Sequence, residues 1–346
     1  MFKIEGMITL KELAKRLNVS ISTVSKALND SPEISENTIK RVKEAAEMYK
    51  YVPNRVALSL KSSKTKTIGV IIPNILNHFF AKVLYGMEKE ASRLGYSLII
   101  CISNESYDKE VNSLNLLANG SVDGFIISIA EETQIRQESD HLKSIIDQKL
   151  PMVMFDRISE NVECDKVIID DFEATYKVTK HLLKEGRKKL ALINNIEELS
   201  VGKLRTYGFL QAIEDETGYE EKPIVIAIGR EDDLEGAIDA IFDTHKAVDG
   251  IIAIDNVSGV IALNKALQRS IEIPRDLSII GFSGENVLQF TSPKLSTVSQ
   301  HSQEMGETSV RLLVDRLECK EKLPQKTKVI DVSLHLRGTT KEDFQF

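Results

Sequence analysis

The run "NVSISTVSKALN", Asn18 to Asn29, carries serine or threonine at positions 20, 22, 23 and 25. Such residues compete with the helical backbone and favour caps and turns. Yet Val24, Ala27 and Leu28 fall at the i, i+3, i+4 spacing of a buried helical stripe. A helix buried on that stripe turns Ile21, Ser22, Ser25 and Lys26 to its opposite face, with Asn29 one turn further along. Short hydroxyls can exchange hydrogen bonds with base edges in a DNA major groove. An isoleucine can meet a thymine methyl, and a lysine can reach guanine or a phosphate. This is recognition chemistry.

A second set of polar residues follows apolar, β-branched runs. Asn77 and Phe80 come after "TIGVII", Ser128 after "DGFII", and Asp156 with Arg157 after "PMVMF". Asp170 follows "KVII", Asp255 follows "DGIIAI", and Ser283 follows "SIIGF". Ligands of open α/β sheets sit beyond the carboxyl ends of the strands. Carboxylates and an arginine fork beside aromatic rings suit a polyhydroxylated ligand such as a sugar.

Catalytic patterns are missing from the sequence. There is no G-x-G-x-x-G, no G-x-x-x-x-G-K-[ST] and no H-E-x-x-H, and "GFSGE" lacks the spacing of a nucleophile elbow. The six histidines are scattered without metal-ligand spacing. Cys101, Cys164 and Cys319 are odd in number and far apart, which argues against a disulfide framework or zinc site. The expectation is a binding protein that is not an enzyme and needs no metal or cofactor.

Short helices must position the recognition face. Leu10, Leu13, Ala14 and Leu17 repeat at helical spacing behind a capping Thr9, and Ser20 is placed to cap the next helix. With the turn at Asn18-Val19 these form a helix-turn-helix. A third helix fits "SENTIKRVKEAAEMYKY", with Ile39, Val42, Ala46 and Met48 on its inner face. Then come Pro53, a seven-residue segment over 54–60 and a Lys/Ser/Thr linker. The predicted organisation is a helix-turn-helix domain over 1–53, a short segment and linker over 54–66, and a larger domain over 67–346.

From Thr67 onward strands alternate with helices. Apolar runs appear at "TIGVII", "YSLIICI", "VDGFIIS", "LPMVMF", "KVIID", "KLALIN", "DGIIAI" and "LSIIGF". Continuous apolar strands separated by helices mean parallel sheets covered on both faces. Their extent exceeds one comfortable core, so two lobes are predicted. The fold class is α/β, an all-α helix-turn-helix head followed by a two-lobed body of parallel sheets.

Charge separates the same parts. Residues 1–66 hold 13 Lys+Arg against 7 Asp+Glu, while the rest holds 32 basic against 45 acidic residues within a total of −7. A basic head on an acidic body confines nucleic-acid contact to the head. No apolar run approaches a membrane span, and the N-terminus lacks an apolar signal core, which points to the cytoplasm.

"ITLKELAKRLNVSISTVSKALN" followed by "YVPNRVALSL" resembles the head of the lactose-repressor/galactose-repressor (LacI/GalR) family. "TIGVIIPNILNHFFAKVLYGME", "VDGFII", "MFDR", "RTYGF", "IPRDLSIIGF" and "SPKLSTV" are similar to later landmarks, in family order. The resemblance implies a homodimeric repressor that binds double-stranded operator DNA under control of a small-molecule effector, a sugar or related metabolite. It makes 54–66 a hinge helix and linker, and 67–346 a two-lobed effector-binding and dimerisation domain like a periplasmic binding protein. It places DNA contacts on Thr9, Ser20, Ile21, Ser22, Ser25, Lys26 and Asn29, and phosphate contacts on Ser35, Thr38, Tyr51 and Asn54. Leu60 matches a leucine wedged between base pairs, and Ala57 faces the same minor groove. Arg205, in "RTYGF", matches an arginine that contacts effector. Two departures stand out. Asp255-Asn256 replaces the usual Asn-Asp, and Ser283 stands where many members have an effector-binding Asp, a departure from the galactoside pattern. A ligand receptor that does not act through DNA, and a body governed by a protein partner, are the alternative readings.

Overall fold

The head is three short helices, each started by a hydroxyl cap. These are α1 (Leu10–Leu17), α2 (Ile21–Leu28) and α3 (Glu36–Met48). Thr9 and Glu12 form a reciprocal capping box: Glu12 N donates to Thr9 Oγ1 at 3.2 Å, and Thr9 N to Glu12 Oε2 at 2.8 Å. Ser20 accepts from Thr23 N at 3.0 Å, and Ser35 from Thr38 N at 3.4 Å. Asn18 ends α1 in the left-handed region, φ 55°, which turns the chain sharply into α2. Leu13, Ala14, Val24, Ala27 and Val42 are buried together. Met48, expected on that inner face, is instead 77% exposed. It lies six residues after Val42, a spacing that points away from the stripe through Ile39, Val42 and Ala46.

In this computed structural model the described residues are 8–51, 64–216, 218, 221–229, 232–282, 291–319, 321 and 323–341. They belong to two units, Met1–Thr65 and Lys66–Phe346.

The second unit contains two parallel sheets. The first lobe uses β1 (Thr67–Ile72), β2 (Ser97–Ile102), β3 (Gly124–Ile127), β4 (Met152–Phe155) and β5 (Asp165–Ile169). Its helices are α4 (His78–Arg93), α5 (Tyr107–Leu117), α6 (Glu131–Arg136) and α7 (Asp140–Asp147). The second lobe uses β6 (Leu190–Asn194), β7 (Ile224–Ala227), β8 (Gly250–Ala253), β9 (Ser278–Phe282) and β10 (Ser296–Ser299). Its helices are α8 (Asp171–Lys184), α9 (Ser200–Glu214), α10 (Leu234–Thr244) and α11 (Asn256–Gln268). The chain then returns through α12 (Ser302–Glu318) and β11 (Thr327–Ile330) to the first lobe, and ends in the second with β12 (Ser333–His335).

Strand order is β11-β5-β4-β3-β1-β2 in one sheet and β12-β10-β9-β8-β6-β7 in the other. All pairs are parallel except β12 with β10. The chain therefore crosses between lobes three times, near 170, 300–301 and 331–332. Apolar residues cover both faces of each sheet, as central parallel strands require. Helices α4 and α12 cross at Gly86 and Gly306. A Cβ on Gly306 would stand 2.1 Å from Val83 O, and one on Gly86 would stand 2.1 Å from Gln303 O. Among the described residues no helix is long and apolar enough to cross a membrane.

Candidate functional site

The outer face of α2 presents the expected residues in different states. Ile21 is 46% exposed, Ser22 is exposed, and Ser25 is half-buried. Lys26 pairs with Glu33, and Asn29 Nδ2 donates to Ser25 O at 2.8 Å. Ser20 and Ser35 start α2 and α3, and Thr9 Oγ1 donates to Glu12 Oε2 at 2.9 Å. Thr38 shares a hydroxyl hydrogen bond with Ser35 at 2.9 Å, and Tyr51 packs half-buried on the head core. Asn54, Ala57 and Leu60 lie outside the described residues. Set in a DNA major groove, a face led by a small hydroxyl and an isoleucine would read bases through a few contacts, each worth about 1–3 kcal/mol. Ile21→Ala is therefore expected to change the ranking of operator variants while leaving the salt dependence of binding intact. Equal binding of Ile21→Ala and wild type across all variants contradicts that placement.

In the body, a cavity of about 370 Å³ lies between the lobes at the carboxyl ends of the strands. The first lobe contributes Asn74, Asn77, Phe79, Phe80, Asp156 and Arg157. The second contributes Asn195, Arg205, Ile254, Asp255 and Phe282, and the second crossover adds Gln300 and Ser302.

Its charges are organised in pairs. Arg205, projecting from α9, donates from Nε to Asp171 Oδ1 at 2.8 Å and from Nη1 to Ile254 O at 2.7 Å. Its guanidinium lies 4.4 Å from the centre of the Phe282 ring. Burial pushes the Asp171 carboxyl up, against the pull of Arg205. Arg157 donates from Nη1 to Glu105 Oε2 at 2.6 Å and lies over Phe80 at 5.5 Å. Its buried Nε has no partner among the described residues, and neither does Asn195 Oδ1. Asp255 accepts from Val257 N at 2.7 Å and Ser258 N at 2.9 Å, which caps α11.

Asp156 has no such compensation. It sits in the left-handed region, φ 56°, which turns its side chain out of the β4 line. Burial pushes its carboxyl up to about 6; Arg157 and Arg205 oppose this, and Asp171 and Glu105 add repulsion. Among the described residues no donor bonds this carboxylate. Asp156 is half-buried and lines the cavity, so its donors come from water or from a ligand that enters.

Asn77, Phe80, Asp156, Arg157, Arg205 and Asp255 thus come together at the cavity. Ser128 does not. It is fully buried behind β3, and its hydroxyl has no partner among the described residues. Asp170 also stands aside, exposed, accepting from Glu173 N at 2.9 Å to cap α8. The neighbouring Asp171 turns inward to Arg205 instead. Ser283 lies outside the described residues. Sequence reasoning missed Asn195, which follows "KLALIN" and had a strand-end signal, and Gln300, which follows a strand too rich in hydroxyls to stand out.

Comparison with known proteins adds an independent finding. Residues 9–54 match the model of bacterial regulatory proteins of the lacI family, and residues 179–340 match the periplasmic binding protein-like domain. The HTH-type transcriptional repressor PurR of Aliivibrio fischeri strain MJ11 is 31% identical over 329 residues, covering 91% of this chain and 93% of the relative. The PurR repressor of Vibrio cholerae strain M66-2 is 30% identical over 318 residues, with the same coverage. Among solved structures, the lac repressor dimer bound to operator and the anti-inducer ONPF superposes with a TM-score of 0.84. It is 20% identical, covering 97% of this chain and 99% of the other. A LacI family transcriptional regulator from Enterococcus faecium with bound ribose gives 0.69 at 26% identity, covering 79% and 98%.

Proposed function

Because this chain belongs to the lacI family and is a DNA-binding transcriptional repressor under small-molecule control, we propose that its effector is an uncharged, hydroxyl-rich molecule of sugar size, bound between the lobes. It works as a homodimer on double-stranded operator DNA, and we place it in the cytoplasm with that DNA. In this reading α2 lies in the major groove, with Ile21, Ser22 and Ser25 at base edges. Thr9, Ser20, Lys26, Asn29, Ser35, Thr38, Tyr51 and Asn54 hold phosphates or position the helix, and Ala57 and Leu60 face the minor groove.

The observation that carries the effector class is Asp156. Both cleft arginines are already held by carboxylates behind them, and Asp255 is held by a helix N-terminus. What remains is a carboxylate in need of donors, beside aromatic rings, the buried acceptor Asn195 Oδ1 and the unpartnered Arg157 Nε, a donor that a hydroxyl oxygen can accept from. Ligand hydroxyls supply such donors. An added phosphate brings an anion against Asp156 and Asp255, and like charges in a desolvated site repel. Ribose, the sugar bound in the Enterococcus faecium regulator, is a suitable first probe within a panel of neutral sugars. A neutral sugar that raises the melting temperature, with its phosphorylated form inert at equal concentration, is the expected result. Stabilisation by the phosphorylated form alone contradicts the assignment.

The same carboxyl makes binding pH-dependent. In the ligand-free protein its raised pKa means that ionisation opposes folding, so that stabilisation present below the ordinary carboxylate range is lost as pH rises through about 6. A hydroxyl that donates to Asp156 needs the ionised form. Affinity should accordingly fall about tenfold between pH 7 and pH 5, with proton uptake on release. Asp156→Asn is expected to bind more weakly and to flatten that profile; an unchanged profile in the variant rules out this role.

A further inference from the structure

Among the described residues, Gln134 joins the lobes by hydrogen bonds outside the three crossovers. Gln134, on α6, donates from Nε2 to Ser200 Oγ at 2.9 Å and to Ile158 O at 3.2 Å. Ser200 N donates back to Gln134 Oε1 at 3.2 Å. Ser200 is the first residue of α9, whose N-cap is Leu199, a residue with no side-chain acceptor to offer. The first N–H groups of a helix need partners from outside it. Here one comes from the opposite lobe, so the cap of α9 is complete only while the lobes are together.

Both ends of this bridge lead to the cleft. Helix α9 carries Arg205. At the other end, Glu131 N at the start of α6 donates to Glu105 Oε2 at 2.9 Å, and the same carboxylate holds Arg157. The bridge also stands in a wall. Arg157 and Val201 line the effector cavity, whereas their neighbours Ile158 and Ser200 line a second cavity of about 320 Å³ with Gln137, Asn161 and Lys203.

We propose that Gln134 and Ser200 form a latch between the lobes, which shuts the effector cleft and must open for a ligand to enter or leave. The part played by the ligand rests on the cleft being the effector site; the latch itself does not. Gln134 acts as a positioning residue. It reaches the ligand only through Ser200 and the helix that holds Arg205. Breaking the latch uncaps α9 and leaves a glutamine and a hydroxyl to be hydrated, a modest cost that permits opening on demand. Removing Gln134 favours the open arrangement by about tenfold, the size expected for losing this bonding pair.

The test uses the full-length, ligand-free protein with Cys101 and Cys319 replaced by serine. Spin labels are placed through Lys143→Cys in α7 and Glu214→Cys in α9, both exposed positions in opposite lobes. Labelled chains are diluted with unlabelled ones, so that each dimer carries one labelled copy. The expected result is a single dominant distance in the parent and a longer second population in Gln134→Ala, enriched about tenfold. Ser200→Ala, which keeps the backbone N–H for Gln134 Oε1, should fall between the two. Adding Gln134→Ala to Ser200→Ala should do less than it does alone, because the two residues share one interaction. Melting temperature and amide exchange in lobe interiors should stay near those of the parent, which separates a latch from general destabilisation. Identical distance distributions in parent and Gln134→Ala overturn the latch, as does a uniform rise in exchange throughout both lobes. If the distances shift as expected but no neutral sugar alters them, the latch stands and the proposed effector class fails.

Discussion

Arg205→Ala should leave a protein that no longer responds to its effector, with ligand affinity reduced at least about a hundredfold. The arginine bonds Asp171 and the Ile254 carbonyl and stacks on Phe282. Truncation therefore removes a wall of the cavity and three supports together. It also strands Asp171, which is buried and whose carboxyl is already pushed upward even with its partner present. Removing one member of a buried ion pair costs about 3–5 kcal/mol when the other stays charged. Asp171 can take up a proton instead, so the destabilisation should be largest above neutral pH and shrink in acid. Arg205→Lys should rescue little, because an ammonium cannot reproduce the planar fork that spans Asp171 and Ile254 O. Titration calorimetry with a stabilising sugar, alongside melting from pH 5 to pH 8, reads both effects. An Arg205→Ala protein with unchanged ligand affinity removes the arginine from the site.

Gly306→Ala should be nearly as damaging, far from any ligand. The new Cβ would stand 2.1 Å from Val83 O and 2.9 Å from Met87 N, both backbone atoms of α4. Backbone cannot rotate away as a side chain can, so the helices must separate. The buried cluster of Val83, Met87, Met305 and Val310 then loses its packing. A cost of about 3–5 kcal/mol follows, or a melting temperature lower by roughly 10 °C for a unit of this size. Gly95→Ala serves as the control, since nothing lies within 4 Å of its Cβ and only its φ of +77° resists substitution. If Gly306→Ala melts like the parent, the close crossing of α4 and α12 is wrong.

Central parallel strands were plain in the sequence, because both of their faces are apolar. The strands that escaped notice lacked that signal. In β7 half-buried and exposed positions alternate, β11 is mostly exposed, and β10 is a buried run of Ser296, Thr297, Val298 and Ser299. Two of its hydroxyls satisfy each other's surroundings through Arg337, which is 2.7 Å from Thr297 Oγ1 and whose backbone N–H donates to Ser296 Oγ at 2.8 Å. No periodicity rule finds such a strand. The caps Thr9 and Ser20 were legible because each acts within three residues of itself; Ser35 caps α3 in the same way.

Strand-end reasoning brought six of the expected effector residues to one cavity, but it could not choose between adjacent acids. Asp170 and Asp171 share a composition and differ in direction: one caps α8 in solvent, while the other turns into the lobe. Ser128 fails for a different reason: it follows a strand as the other candidates do, but it is fully buried and does not line the cavity. Gln134 carried no sequence signal. Its role depends on a helix in the other lobe that lacks its own cap, and only folding brings the two together.

The most direct measurement titrates operator DNA, selected from a random library by the purified protein, with and without a neutral sugar that raises the melting temperature. A ligand acts only through unequal affinity for two states, and the coupling must be the same in both directions. The expected result is a sugar-induced change in operator affinity of about 5- to 150-fold, matched by an equal change in sugar affinity on adding operator, and absent in Arg205→Ala. Sugar that binds the cleft yet leaves operator affinity unchanged, or a full response in Arg205→Ala, contradicts effector control through this site.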